Sequence, residues 1–249
     1  MSTAGRPNGL ALDGDGHIWI AEATEGALLC VAADGRLLQK IAGDAEGRFL
    51  WPNDIALAEN GLLYMTDSGI LDSDFIDGLD IRADWATAPY DGRVYEIDPR
   101  AGTVLRILDR GLRFTNGIAF GSDGRLYVAE TLSGEIFAYD LKEHAPRRQI
   151  VGNCVLADDR PGFRGPDGIK FGADGRLYCT VYGQSVVTVL DAAGQLVESL
   201  PTQGAKPTNI AFRRQGAEAI VTEVSAGQVE ILPMPCAGLP LFYPRGLAN

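Results

Sequence analysis

The chain has 249 residues, a formal net charge of −11 and 46% hydrophobic residues. The acidic balance excludes nucleic acid or an anionic membrane as the expected partner, because neutralising phosphates requires clustered Lys and Arg. No stretch of the sequence approaches the roughly 18 apolar residues of a membrane-spanning helix, and the N-terminus lacks the pattern of a secretory signal peptide.

A short phrase recurs along the chain, each time before a run of alternating apolar residues. Its five copies are Pro7-Asn8-Gly9, Pro52-Asn53-Asp54, Thr115-Asn116-Gly117, Pro166-Asp167-Gly168 and Pro207-Thr208-Asn209. In the last copy we take Asn209 as the counterpart of the other Asn and Asp residues. A unit of short strands that repeats about every 40–50 residues is typical of a β-propeller blade.

The strand and turn patterns predict one all-β domain over 1–249, a β-propeller of four-stranded blades. Gly and Asp-Gly turns between apolar runs, such as Asp34-Gly35, favour tight hairpins within each blade. Five blades are visible, at about 6–42, 51–109, 113–151, 165–200 and 206–234.

The second blade is interrupted from about 70 to 91. This insertion is too long for an ordinary blade turn and carries Phe75, Trp85 and Tyr90. Long aromatic connections on a rigid scaffold are often lids or substrate walls, which makes Trp85 a candidate substrate-binding residue. A surface excursion that covers a blade edge explains the same sequence equally well.

The repeated phrase places amide and carboxylate side chains at equivalent positions. Because propeller blades are arranged radially, such positions converge on one axis. Asn53, Asn116 and Asp167 then form a set of hard oxygen donors suited to Ca²⁺ or Mg²⁺. The alternative is that these residues only form turns and hydrogen-bond their own backbone.

A second acidic set follows one strand later, at Glu22, Asp67, Glu130 and Glu223. These carboxylates could orient ligands, or they could simply accept hydrogen bonds from neighbouring backbone.

His and Cys residues give no sequence signal of a zinc site. His17 and His144 have no partner at ligand spacing, and we expect surface or strand roles for both. The widely scattered Cys30, Cys154, Cys179 and Cys236 form no Cys-x-x-Cys motif. We expect four reduced, structural cysteines and a cytoplasmic protein.

Three of these phrases resemble a known family. PNDIALAENGLLYMTD, TNGIAFGSDGRLYVAET and GPDGIKFGADGRLYCTVYGQSVVTVLD look like the third, fourth and fifth blades of the regucalcin/gluconolactonase (senescence marker protein-type, luciferin-regenerating-enzyme-like) family of six-bladed propellers. That family is itself similar to diisopropylfluorophosphatase and, more distantly, to strictosidine synthase.

The resemblance implies a divalent cation in the propeller channel, usually Ca²⁺, or another hard cation such as Mg²⁺, Mn²⁺ or Zn²⁺. It implies that Asn116 and Asp167 are metal ligands, that Asn53 binds metal or substrate, and that Asp167 is the catalytic acid–base residue.

One family feature is missing. The family's first blade begins with a Gly-Glu-Gly-Pro-like phrase whose Glu binds the metal, and this sequence has no such phrase. Glu130 and Glu22 are possible substitute ligands. An apparently absent first blade also predicts self-association through an incomplete propeller edge.

The sequence therefore predicts a metal-dependent hydrolase of the lactonase or esterase type. Its small-molecule substrate would be a sugar lactone or related cyclic ester. Two alternatives stay open: a non-catalytic propeller that binds Ca²⁺ or a ligand, and a biosynthetic cyclase or isomerase that uses the same pocket.

Overall fold

The computed structural model describes residues 3, 5–77, 80–158 and 161–248. The described chain is almost entirely β-structure, and its small antiparallel sheets have the five-blade arrangement of a β-propeller, which confirms the predicted fold class. The single helix among the described residues, α1 (Asp72–Phe75), has only four residues, and no described helix could cross a membrane. The chain forms two compact units, one of Met1–Thr115 with Leu241–Asn249 and one of Asn116–Pro240.

The first unit begins with a four-stranded antiparallel sheet, followed by a small hairpin. The strands of the sheet follow chain order: β1 (Pro7–Leu12), β2 (Ile18–Glu22), β3 (Ala27–Val31) and β4 (Leu37–Ile41). The hairpin consists of β5 (Gly43–Asp44) and β6 (Gly47–Arg48). The turn between β1 and β2 contains Gly16 at φ +83°, a conformation that glycine adopts without steric cost.

The second sheet of this unit carries the predicted insertion between its second and third strands. Its strands are β7 (Pro52–Leu57), β8 (Leu63–Asp67), β11 (Gly92–Asp98) and β12 (Thr103–Leu112). The insertion contains α1 and the two-stranded pair β9 (Ile76–Asp77) and β10 (Asp80–Ile81). The predicted interruption at 70–91 thus lies between two strands of one sheet.

The two sheets of the first unit share one core. Alternate residues of β2 and β8, such as Trp19, Leu63 and Met65, are fully buried in it, together with Phe49 and Tyr95. Burying each large apolar side chain contributes roughly 1.5–3 kcal/mol, so this core stabilises the packing of the first two sheets.

The second unit contains three sheets. The first is formed by β13 (Thr115–Phe120), β14 (Leu126–Glu130), β15 (Glu135–Tyr139) and β16 (Gln149–Asn153). The second is formed by β17 (Gly165–Phe171), β18 (Leu177–Tyr182), β19 (Val186–Leu190) and β20 (Leu196–Pro201). The third has three strands, β21 (Pro207–Phe212), β22 (Glu218–Glu223) and β23 (Gln228–Pro233).

Strand β18 shows why the central strands are apolar at successive positions. Leu177 and Cys179 pack into one core with Ile169, whereas Tyr178 packs into a second core with Ile210. Successive side chains of a strand point to opposite faces, so a sheet covered on both faces needs apolar residues throughout.

The four cysteines are free thiols, and Cys30, Cys154 and Cys179 are buried.

Candidate functional site

Each repeated phrase lies at the start of the first strand of a sheet, and strand pairing gives its register. Pro7 pairs with Glu22, Pro52 with Asp67, and Pro207 with Glu223. The residue after each proline is therefore equivalent, so the counterpart of Asn8 and Asn53 in the fifth sheet is Thr208. The sequence alignment of Asn209 with these residues is wrong.

Hydrogen bonds show what Asn209 does instead. Its Oδ1 accepts the backbone N–H of Ile210 at 2.8 Å, just as Asp54 Oδ1 accepts that of Ile55 at 2.9 Å. The backbone N–H groups of Asn209 and Asp54 each donate to a threonine hydroxyl of the next strand at 3.0 Å. Asn209 is therefore the counterpart of Asp54 and has a local structural role.

The phrases are strand segments with β-bulges. The register shifts between Pro52 and Ile55 and between Pro166 and Ile169, and the same irregularity occurs in the first and fifth sheets. Bulges re-aim side chains and are common next to active sites. The phrases therefore lie in strands and not in turns.

Glycine in the phrase allows close approach between neighbouring first strands of one unit. A Cβ added to Gly117 would lie 2.3 Å from the carbonyl oxygen of Asp167. In the first unit, a Cβ on Gly9 would lie 2.5 Å from the Cα of Asp54. In the second unit this proximity brings the strand that carries Asn116 directly against Asp167.

Asn116 is held by the second strand of its own sheet. It is 4% exposed, and its Nδ2 donates to Thr131 Oγ1 at 3.0 Å. Thr131 in turn donates to the carbonyl oxygen of Pro166, at 2.7 Å. Because the amide nitrogen faces this hydroxyl, the amide oxygen points elsewhere, and amide oxygens are ligands that hard cations accept.

The first unit repeats this arrangement. Asn53, also 4% exposed, donates from Nδ2 to Ser68 Oγ at 2.9 Å, and Ser68 donates to the carbonyl oxygen of Thr115 at 3.0 Å. The structure thus orients both predicted amide ligands through a hydroxyl of the following strand. No sequence motif marks Ser68 and Thr131, although both directly follow the acidic residue that ends the second strand.

Asp167 lies in β17 and is half-buried. Together with Asn116 it supplies an amide oxygen and a carboxylate on adjacent strands of the second unit. This donor set is all oxygen and fits a hard divalent cation such as Ca²⁺. Asn53 belongs to the first unit, and its participation stays a prediction from the sequence.

Asp67 and Glu223 of the second acidic set accept hydrogen bonds from backbone. Asp67 accepts the N–H groups of Leu50, Trp51 and Gly69 at 2.8–3.0 Å. Burial raises the pKa of Asp67, and these hydrogen bonds oppose that shift. For Asp67 the alternative of a carboxylate satisfied by neighbouring backbone is confirmed.

Glu223 accepts the N–H groups of Lys206, Ser225 and Ala226 at 2.8–2.9 Å. Burial would raise its pKa, but the Ser225 hydroxyl and these N–H groups lower the pKa of Glu223 to about 2. Glu223 therefore stabilises the segment that leads into the fifth sheet. The alternative that this carboxylate accepts hydrogen bonds from neighbouring backbone is confirmed here as well.

The two possible substitute ligands, Glu22 and Glu130, are both buried. Glu22 Oε2 accepts the N–H of Glu25 at 2.5 Å, and its Oε1 lies against Gly5, where an added Cβ would approach to 2.1 Å. Glu22 Oε1 has no hydrogen-bond partner among the described residues. Metal binding by either carboxylate stays a prediction.

The insertion is anchored by an aromatic cluster that we define as Trp51, Phe75, Tyr90 and Phe114. The ring centroids of Phe75 and Phe114 are 4.7 Å apart, and those of Trp51 and Phe114 are 5.4 Å apart. Trp51 and Phe114 stand two residues before Asn53 and Asn116, and Phe114 has a strained φ of +65°. The insertion is thus fixed to the chain that leads into two predicted site residues.

Trp85 lies in the same insertion and is half-buried. Its carbonyl oxygen accepts a hydrogen bond from the Tyr90 hydroxyl at 2.6 Å, which ties it to the aromatic cluster. Substrate binding by Trp85 stays a prediction. An aromatic residue just before a repeated phrase is the sequence pattern that identifies Trp51 and Phe114.

A polar cavity of about 300 Å³ lies in the first unit. Its lining includes Asp67, Asp91, Arg93 and Tyr95. Arg93 pairs with Asp91 at 2.7 Å and with Glu46 at 3.5 Å. The cavity can hold a small polar molecule, and its charged groups could bind hydroxyl or carboxylate groups.

His17 departs from the sequence expectation. Potential ligand atoms of Asp13, His17 and Cys30 lie within 4.8 Å of one another. The sequence shows no partner for His17 at ligand spacing, but the β2–β3 hairpin brings Cys30 beside the turn that carries Asp13 and His17.

Residues 43–224 match the family model described as SMP-30/Gluconolactonase/LRE-like region. The chain is 29% identical over 186 residues to the protein strictosidine synthase-like 4 of Arabidopsis thaliana, which covers 74% of this chain and 46% of that protein. It is 28% identical over 185 residues to a gluconolactonase of Zymomonas mobilis, covering 71% of this chain and 49% of that protein. The chain thus spans about half the length of these curated relatives.

Solved structures share the fold. A gluconolactonase from Xanthomonas campestris aligns with a TM-score of 0.73 at 24% identity, over 92% of this chain and 72% of that one. A calcium-binding regucalcin from Agrobacterium tumefaciens aligns with a TM-score of 0.63 at 17% identity, over 96% of this chain and 92% of that one. Because the family model matches most of this chain, at residues 43–224, the chain belongs to the SMP-30/gluconolactonase/LRE-like family.

Proposed function

We propose that this protein is a divalent-metal-dependent hydrolase that opens a lactone, with Asn116 and Asp167 at the centre of its site. The observation that carries the proposal is the fixed orientation of the Asn116 amide by Thr131, on a strand packed directly against Asp167. Family membership and the resemblance to a gluconolactonase support lactone chemistry for such a site.

The residues fit a hard cation such as Ca²⁺, because both would contribute oxygen. A bound cation would polarise the lactone carbonyl and stabilise negative charge on its oxygen. Asp167 would accept a proton from the water as the water oxygen bonds to the carbonyl carbon. It would then return that proton to the ring oxygen as the ring C–O bond breaks, which leaves a hydroxy acid. Asn116 would keep its amide oxygen in place throughout.

The roles of the other predicted residues are also proposals. Asn53 would bind metal or substrate, Trp85 would contact the substrate, and Glu130 or Glu22 would replace the missing family Glu. Asn116 and Asp167 together supply one negative charge. Ca²⁺ affinity rises with ligand charge, so we expect weaker Ca²⁺ binding than in relatives that have the additional Glu. A cytoplasmic location remains part of the proposal.

Two observations favour other functions. Asn116 and Asp167 supply a single carboxylate for both metal binding and proton transfer, which favours a propeller that binds Ca²⁺ or a ligand without turnover. Similarity to strictosidine synthase-like proteins at 29% and 31% identity favours a biosynthetic enzyme that uses the same pocket.

The deciding experiment is a lactone hydrolysis assay on metal-depleted protein, with and without added Ca²⁺. We expect hydrolysis of at least one sugar or aliphatic lactone that depends on the cation and is abolished in Asp167→Ala. Asp34→Asn, which changes an exposed turn carboxylate, is the matched control and should keep full activity. Ca²⁺ binding without turnover on any lactone would support the binding protein, and full activity in Asp167→Ala would refute the proposed centre.

A further inference from the structure

Three side chains of different ligand type meet in the first sheet of the first unit. Asp13 directly follows β1, His17 directly precedes β2, and Cys30 lies in β3. Their ligand atoms lie within 4.8 Å of one another. The side chain of Asp13 is fully buried, Cys30 is fully buried, and that of His17 is 22% exposed. The group is thus enclosed, with one side reachable through His17.

Asp13 differs from the residues at its position in three other sheets, although the same turn with a carboxylate recurs at Asp191 in the β19–β20 hairpin. The Asp13 N–H donates to the carbonyl oxygen of His17 at 3.1 Å, and the same turn bond occurs in three other sheets at 2.9–3.0 Å. In those sheets the residue at the position of Asp13 is Ala58, Gly121 or Gly172. The shared turn therefore does not require a carboxylate at this place.

The position of Cys30 is also distinctive. Cys30 pairs with Trp19 across β2 and β3, and the residues that occupy its place in the two complete sheets of the second unit are Ala138 and Val189. Apolar residues suit this buried site, so packing alone does not require sulfur. Only the first of these sheets sets a thiol beside a carboxylate and an imidazole.

The buried carboxylate of Asp13 has no Lys or Arg as an ion-pair partner among the described residues. Asp13 accepts N–H groups from the backbone of Asp15 and His17 and from Trp19 Nε1 at 2.9–3.1 Å. Among the described residues His17 is its ion-pair partner, with Nδ1 at 3.3 Å from Asp13 Oδ2. That Nδ1 is buried and has no hydrogen-bond partner in the part of the chain that the structure describes. A buried charge without a matched cation is costly, so an ion between these groups would relieve the cost.

The spacing of the nitrogen and oxygen fits one small ion. Two ligands at the usual 2.0–2.1 Å from a tetrahedral Zn²⁺ lie about 3.3 Å apart, which is the distance observed between Nδ1 and Oδ2. A bound metal deprotonates a coordinating thiol.

We propose that Asp13, His17 and Cys30 form a site for a borderline-soft divalent cation of the Zn²⁺ class. Nitrogen, sulfur and oxygen together suit zinc, whereas an all-oxygen set suits calcium. Three protein ligands leave a fourth position for water on the side of His17. Because such a site forms only in the folded chain, the ion would stabilise the first sheet by joining its turn to β3.

The test uses the full chain, depleted of metal, and Co²⁺ as a spectroscopic probe of the zinc site. We expect one equivalent of Co²⁺ to give a thiolate-to-cobalt charge-transfer band and tetrahedral visible bands, and Zn²⁺ to displace it. Cys30→Ser should lose the charge-transfer band, and His17→Ala should weaken binding at least about tenfold. Cys236→Ser and His144→Ala, which change a cysteine and a histidine outside the cluster, are the matched controls and should bind Co²⁺ as the wild type does.

A second measurement covers variants that fold poorly. Zn²⁺ should raise the thermal unfolding midpoint of the wild type and of Asp167→Ala, but not that of His17→Gln, whose side chain is partly exposed. The proposal is overturned if the wild type shows no cobalt band, or if the band survives in both Cys30→Ser and His17→Ala. In the first outcome, Asp13 and His17 form only an ion pair.

Discussion

The amide nitrogen of Asn116 lies 3.0 Å from the hydroxyl of Thr131, which itself donates to the backbone carbonyl of Pro166 at 2.7 Å. The amide therefore has one orientation, which is set by the strand that follows it and by the residue just before Asp167. A ligand that is already oriented loses little conformational entropy when an ion binds. Thr131 is thus a positioning residue for the proposed site.

The first prediction concerns this hydroxyl. Thr131→Val keeps the shape of the side chain but removes both hydrogen bonds, so the Asn116 amide is free to rotate. We expect Ca²⁺ affinity to fall by about 10- to 100-fold, the usual effect of losing a partner that orients a ligand. Calorimetric titration measures the affinity, and Thr131→Ser should restore it. Unchanged Ca²⁺ affinity in a folded Thr131→Val protein would mean that Asn116 is not a ligand.

Sequence alone located the sheets well but not every equivalent residue. The five phrases identified the five first strands, because a bulge before an alternating apolar run leaves a clear pattern. The sequence pattern misaligns the last phrase. Asn209 matches the Asn residues of the other phrases by residue type, but the pairing of Pro207 with Glu223 makes Thr208 the equivalent residue. Register depends on contacts between strands, and a single sequence does not contain them.

The same reason explains what the sequence missed around the sites. His17 and Cys30 meet only because β2 and β3 form a hairpin with Trp19 opposite Cys30. Phe114 meets the insertion residue Phe75 with ring centroids 4.7 Å apart, although about forty residues separate them in the chain. The insertion itself was predictable, because its length and turn-rich composition break the blade pattern.

The second prediction tests the close approach of neighbouring strands. Gly117→Ala would place a Cβ 2.3 Å from the carbonyl oxygen of Asp167, and backbone on both sides leaves no flexible group to move. We expect a loss of about 1–3 kcal/mol in the free energy of unfolding, the usual cost of overpacking, together with weaker Ca²⁺ binding. Urea denaturation followed by tryptophan fluorescence measures the stability. A stable Gly117→Ala protein would show that these strands lie further apart.

The third prediction concerns pH and Glu223. Its pKa in the folded protein is about 2, below the ordinary value of 4.5, so the ionised form stabilises the fold. This contribution is complete above about pH 4.5 and is lost as the pH falls through about 2. Glu223→Gln should therefore cost on the order of 2 kcal/mol at neutral pH and make stability less dependent on pH in the acid range. Denaturation measured from pH 7 down to pH 2 gives both quantities.

The control for Glu223 is Glu59→Gln, which changes an exposed turn carboxylate. This variant should keep the acid dependence of the wild type. Equal pH profiles for Glu223→Gln and the wild type would contradict the assigned role of Glu223.

The last prediction concerns self-association, which we propose occurs through the fifth sheet. Among the described residues this sheet has three strands, whereas the larger sheets have four. Its outer strand β23 exposes Val229 at 63% and Ile231 at 59%, both on one face because they are two residues apart. An apolar outer strand favours pairing with the same strand of a second copy.

Light scattering of the wild type should therefore show a mass that rises with concentration. The double variant Val229→Lys with Ile231→Lys should reduce this mass to that of one chain. Ile150→Lys changes an equally exposed residue, at 66%, on the fourth strand of a complete sheet, and should leave association unchanged. A wild type that scatters as a single chain at every concentration, or equal effects of both substitutions, would contradict association through β23.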